Sequence, residues 1–107
     1  DDGAIWFSKG LLEIRDGNLQ AGLKALETAA ALEGTPGYYH YVFAVAQNDQ
    51  GYPDKALATL EQLHRLAPGQ PNVLSALMQY SNIAGDRPAA ERYREELRAT
   101  LKAAGLQ

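Results

Sequence analysis

The chain is expected to be all-α, an α-solenoid of three helix-turn-helix units with about six antiparallel helices. Three observations carry this expectation. Gly17, Gly51 and Gly85 stand 34 residues apart, each at the end of one apolar helical pattern and just before another. A small residue follows each glycine by five positions (Gly22, Ala56, Ala90), and Ala29, Leu63 and Leu97 follow by twelve. The intervening segments repeat their apolar residues at spacings of three and four, which is the period of a helix face. A fixed period of 34 with this content marks an array of paired helices, each pair burying its apolar face against the next.

The totals fit one domain. Three units of 34 use nearly all of the 107 residues, and a chain of this length buries a modest core. The formal net charge is −3, against the basic patch expected of a nucleic-acid binder. Residues 1–53 carry three basic and seven acidic groups (net −4), and residues 54–107 carry seven basic and six acidic (net +1); the acidic first half is read as solvated surface. With no cysteine there is no disulfide framework, thiolate metal site or cysteine nucleophile. No apolar run reaches the ~20 residues of a membrane span. No basic-then-apolar leader opens the given sequence; a soluble protein is expected, and the compartment, cytoplasmic or periplasmic, stays open. The opening Asp1-Asp2-Gly3 is compatible with a cut from a longer polypeptide.

The first unit is placed at about residues 3–36. Ile5, Trp6, Phe7, Leu11, Leu12 and Ile14 make its opening helix apolar on more than one side, as suits a helix between neighbours. Trp6 is followed four residues later by Gly10, a large-then-small pair that matches the pattern of the repeat family named below, in which the small residue lets the partner helix approach closely. Asp16-Gly17-Asn18 is the turn, with glycine left-handed at the helix end and Asn18 positioned to cap the next helix. Leu19, Gly22, Leu23, Leu26, Ala29 and Ala30 form the second stripe.

The second unit, about residues 37–70, starts after Thr35-Pro36-Gly37, with its first helix expected over Tyr38 to Gln50. Pro53 suits the first turn of the following helix, where an N–H has no intrahelical partner. Ala56, Leu57, Leu60, Leu63 and Leu66 are its apolar set, and Pro68 closes the unit. The third unit, about residues 71–104, has Leu74, Leu77, Met78 and Ser81 in packing positions. Ala90, Tyr93, Leu97 and Leu101 lie on one stripe of its last helix. Arg87, Glu91, Arg92, Arg94, Glu95, Glu96, Arg98 and Lys102 cover the other sides and are read as solvated surface.

These turns, small residues and 34-residue steps resemble the tetratricopeptide repeat family over nearly the whole chain. The second unit matches best, with Phe43 and Ala44 at the family's leucine and small-residue positions. The first matches worst, with Lys9 and Glu13 where the family prefers apolar residues. The resemblance implies a right-handed superhelix whose concave groove is lined by the first helix of each unit. It implies no catalysis, cofactor or metal. The groove positions it assigns are Phe7 and Leu11 in the first unit, Tyr38, Tyr41, Val45 and Asn48 in the second, and Asn72, Ser75, Gln79 and Asn82 in the third. Ala4, Ser8 and Val42 adjoin them. Tyr39 is expected to pack on a neighbouring unit; Tyr38 and Tyr41 either face the groove or do the same.

The residues add no chemistry of their own. His40 and His64 have no carboxylate at ligand spacing, and His40 takes the bulky packing position that Trp6 holds one unit earlier. Ser8, Ser75 and Ser81 have no base nearby. Gly17 to Gly22 follows no strand and is not a dinucleotide fingerprint. The family's carboxylate clamp for acidic chaperone tails would fall on Phe7, Leu11, Val42, Asn72 and Ala76, none of which carries the needed side chain. A non-catalytic module that binds a peptide or helix of a partner protein in the groove is therefore expected. Tyrosines favour recognition surfaces, and the amides of Asn48, Asn72, Gln79 and Asn82 can pair with a peptide backbone. The alternative is a structural or self-associating module, packing through open solenoid ends. The run from Tyr39 to Ala46 is similar to repeat modules of exported bacterial multihaem cytochrome-type proteins, although with no Cys-x-x-Cys-His no haem is expected here.

Overall fold

The structure, a computed structural model, describes residues 2–106, and within them six helices and no strand. They are α1 (Asp2–Arg15), α2 (Leu19–Ala31), α3 (Gly37–Asp49), α4 (Pro53–Leu66), α5 (Pro71–Ile83) and α6 (Arg87–Ala103). The contacts group them into two compact units, one ending at Ala56 and the other beginning at Leu57, so the boundary falls within α4.

The turn chemistry repeats with the sequence. Gly17, Gly51 and Gly85 have φ of 88°, 90° and 81°, a region that costs glycine nothing and other residues more. At the first turn the Asn18 N–H donates to the Glu13 carbonyl (2.8 Å) and Gly17 to Ile14 (3.0 Å). Tyr52 to Gln47 (2.9 Å) with Gly51 to Asn48 (3.1 Å), and Asp86 to Ser81 (2.9 Å) with Gly85 to Asn82 (3.0 Å), reproduce the pair. This double bond around a left-handed residue closes a helix and satisfies its last carbonyls. The next helix then starts in the same way each time, from Gly22 to Asn18, Ala56 to Tyr52 and Ala90 to Asp86.

One expectation at these turns is not met. Asn18 occupies the cap position of α2, but its side chain makes no capping bond. The corresponding Asp86 does, with Oδ1 accepting from the Ala89 N–H at 3.1 Å. The charged acceptor bonds an orphan N–H at the positive end of the helix more strongly than a neutral amide would.

In the first unit α1 and α2 meet through glycine. A Cβ added at Gly10 would lie 2.7 Å from Leu26 Cγ and 3.1 Å from the Gly22 carbonyl oxygen, and one at Gly22 would run into Ile14 Cγ1. Leu26 fills this space and is fully buried; burying a leucine side chain is worth about 1.5–3 kcal/mol. Ala25, Ala29 and Ala30 continue the buried stripe of α2, and α3 packs against it with Ala44 and Ala46 inside. In the second unit α5 contributes Val73, Leu74, Ala76, Leu77 and Tyr80, and α6 contributes Ala89 and Ala90. Leu60 and Leu63 of α4 are buried as well.

Three side-chain pairs lie between residues 32 apart. In the first unit Gln20 Nε2 donates to the Tyr52 hydroxyl (3.2 Å). In the second the Tyr93 hydroxyl donates to Glu61 Oε2 (3.3 Å), and His64 Nε2 lies 2.6 Å from Glu96 Oε2.

Candidate interaction surface

The expected groove positions belong to two different units and are described unit by unit. On α1, Phe7 is half-buried and Leu11 is 43% exposed. On α3, Tyr38 is 61% exposed, while Tyr41, Val45 and Asn48 are half-buried. Phe7 stacks on Tyr39, with ring centroids 4.3 Å apart and planes 12° from parallel. Tyr38 tilts at 57° to Phe7, its centroid at 5.8 Å. Tyr39 thus packs as expected, and part of Phe7 is consumed in that packing. Tyr38 nevertheless remains largely exposed, an apolar body with a polar tip.

Next to this aromatic group α1, α2 and α3 enclose an open cleft of about 370 Å³. Its wall is aliphatic: Leu11, Ile14, Leu19, Leu26, Val42, Val45 and Ala46. Asp49 and Gln50 provide its polar part. Asp49 is the last residue of α3, exposed, and in none of the ion pairs among the described residues. Gln50 Oε1 is buried with no hydrogen-bond donor among them.

In the second unit Asn72, Ser75, Gln79 and Asn82 are all exposed on α5. Their steps of three, four and three put them on one face, with Val73, Leu74, Ala76, Leu77 and Tyr80 buried on the other. The face is a row of neutral hydrogen-bonding groups with both donors and acceptors.

Partial burial lowers the His40 pKa from its usual value, in keeping with the half-buried packing position expected for it. Burial first, and then the neighbouring Glu61 carboxylate, raise that of Tyr93. The sequence reading missed one constellation. Glu96, assigned to solvated surface, pairs with His64, and the His64 ring meets Tyr93 edge-on at 6.2 Å. The spacing of 32, two short of the period, is the signal that would have found it. Among the described residues no group of three or more His, Cys, Asp or Glu side chains could hold a metal ion, and no helix is long and apolar enough to cross a membrane.

No protein-family model matches the sequence, and no curated protein matches it. Solved structures do. The crystal structure of MamA is similar with a TM-score of 0.86 and 19% identity, over 99% of this chain. The chain spans 62% of the length of MamA, less than two thirds of it. PcrH, in complex with the chaperone binding region of PopB, is similar with a TM-score of 0.79 and 16% identity, over 94% of this chain and 82% of PcrH. At these identities the likeness is one of fold. The chain has a tetratricopeptide-like helical-repeat fold.

Proposed function

We propose that the chain is a non-catalytic protein-interaction module of the tetratricopeptide repeat family that takes a peptide or helix of a partner protein on the α1–α3 face. The observation that carries this reading is the accessible aliphatic cleft beside Tyr38, walled by Leu11, Val42 and Val45. An apolar concavity with a few polar groups at its edge is the usual form of a recognition site. The similar PcrH structure holds the chaperone binding region of PopB, which supports the use of this fold for grasping a segment of another protein. Taken by itself, the second unit offers the exposed amides of Asn72, Gln79 and Asn82 on α5, groups suited to pairing with a peptide backbone.

The test is a pull-down from a lysate of the source organism with the wild-type chain and a Tyr38→Ala, Tyr41→Ala variant of unchanged helicity. A protein held by the wild type and lost by the variant supports the α1–α3 face. One held equally by both removes that face from the proposal.

A second reading, a structural or self-associating module, rests on a different observation. Ile5 is 67% exposed, Leu12 56% and Trp6 39%, all on α1. Sedimentation over a hundredfold concentration range tests it: mass growing with concentration supports self-association, and a constant monomer removes it.

A further inference from the structure

The cleft on the first unit carries chemical information beyond its apolar wall. Among the described residues its one charged lining residue is Asp49, and its one neutral polar lining residue is Gln50. Asp49 is the last residue of α3, where the helix macrodipole presents its negative end. A carboxylate is disfavoured there and a cation favoured. The last turn of α3 has no basic residue to offset it. Residues 1–53, which include the cleft, carry a net charge of −4, from three basic and seven acidic groups. An aliphatic cavity edged by an unpaired carboxylate at a helix C-terminus therefore lacks a positive charge.

Resting on the reading of this face as a peptide site, we propose that its partner segment presents an aliphatic side chain to the cleft with a lysine or arginine beside it. The aliphatic group occupies the cavity of Leu11, Val42 and Val45. The cation sits against Asp49. The cavity, at about 370 Å³, lies near the lower end of the ~300–1,000 Å³ range of ligand sites. That suits one or two aliphatic side chains rather than a whole helix face.

The experiment is selection from a phage-displayed library of random 12-residue peptides on three immobilised forms: wild type, Asp49→Lys and Val45→Asp. Circular dichroism and a thermal melt first establish that each is folded. Asp49 is exposed, so its variant is expected to fold even if Val45→Asp does not. Wild-type binders should combine Leu, Ile or Val with Lys or Arg. On Asp49→Lys the aliphatic preference should persist, while the basic residues disappear or give way to Asp and Glu. A peptide selected on the wild type should bind Asp49→Lys about two- to fivefold more weakly, with the difference shrinking at high salt. Binders without basic residues, or the same binders on both forms, would overturn the cation assignment and leave the peptide site standing. A wild-type surface that enriches no peptide over the bare support would overturn the peptide site, and this inference with it.

Discussion

In the hairpin of α1 and α2 the second helix supplies the bulk: Gly10 offers no side chain, and Leu26 lies over it, fully buried. Two periods later the same positions are Met78 and Arg94. In the hairpin of α5 and α6 both helices now bring a long side chain. Met78 is half-buried and Arg94 exposed, and together they line an open cleft of about 270 Å³ with Leu97, Leu101 and Leu106. The two hairpins share their turn bonds but differ at this crossing: the first closes tightly over a glycine, and the second carries two long side chains that border an open cleft. The turn chemistry therefore repeats while the packing at the equivalent positions does not.

The contrast can be broken at its tightest point. Leu26→Ala should cost about 2–5 kcal/mol and Gly10→Ala about 1–3 kcal/mol. The double variant should cost less than their sum, because removing the leucine makes room for the added methyl; contacting residues couple by about 0.5–3 kcal/mol. Denaturant melts of all four forms measure this, and strict additivity would mean that Leu26 is not what excludes a side chain at Gly10.

Ala56 and Ala58 give a smaller contrast within one helix. Ala56 is fully buried and Ala58 exposed. Ala56→Leu is expected to cost about 1–3 kcal/mol and Ala58→Leu less than about 0.5 kcal/mol. Equal losses in thermal melts would refute the register of α4.

The two turns differ by about 1 kcal/mol in the same comparison. Asp86→Ala removes a formed cap and should cost about that much. Asn18→Ala removes none and should leave the melting temperature nearly unchanged.

The smallest expected effect is one of pH. Burial holds the His40 pKa below its usual value, so the unfolded chain binds the proton more tightly than the folded one. Stability is therefore whole above about pH 6.5, the usual histidine value, and declines as pH falls below it toward the lowered value. His40→Gln should flatten the difference between melts at pH 7 and pH 5; an unchanged slope would show that His40 does not contribute.

Nearly all of the fold was legible in the sequence, because its determinants are local. Gly17, Gly51 and Gly85 fix the turns, and apolar spacing fixes the faces. The helix expected over Tyr38 to Gln50 runs over Gly37–Asp49. The side chains were less legible. Whether Asn18 caps α2 depends on a side-chain rotation that composition does not specify, and whether Glu96 is solvated depends on His64 on another helix. Of the expected groove residues, Leu11, Tyr38, Asn72, Ser75, Gln79 and Asn82 are exposed and Phe7, Tyr41, Val45 and Asn48 half-buried, a division set by packing; the aliphatic cleft with Asp49 at its edge likewise emerges only when α1, α2 and α3 are packed together.

The three pairs 32 residues apart also bear on how fast the chain folds. Gln20 with Tyr52, Glu61 with Tyr93 and His64 with Glu96 each close a loop of the same short length. The entropy of closing a loop grows only with the logarithm of its length, and topologies dominated by near-sequence contacts fold in about microseconds to milliseconds. Each hairpin can form before its neighbour exists, with a glycine already suited to the bend. Refolding should be rapid, and no single distant encounter along the chain should limit its rate.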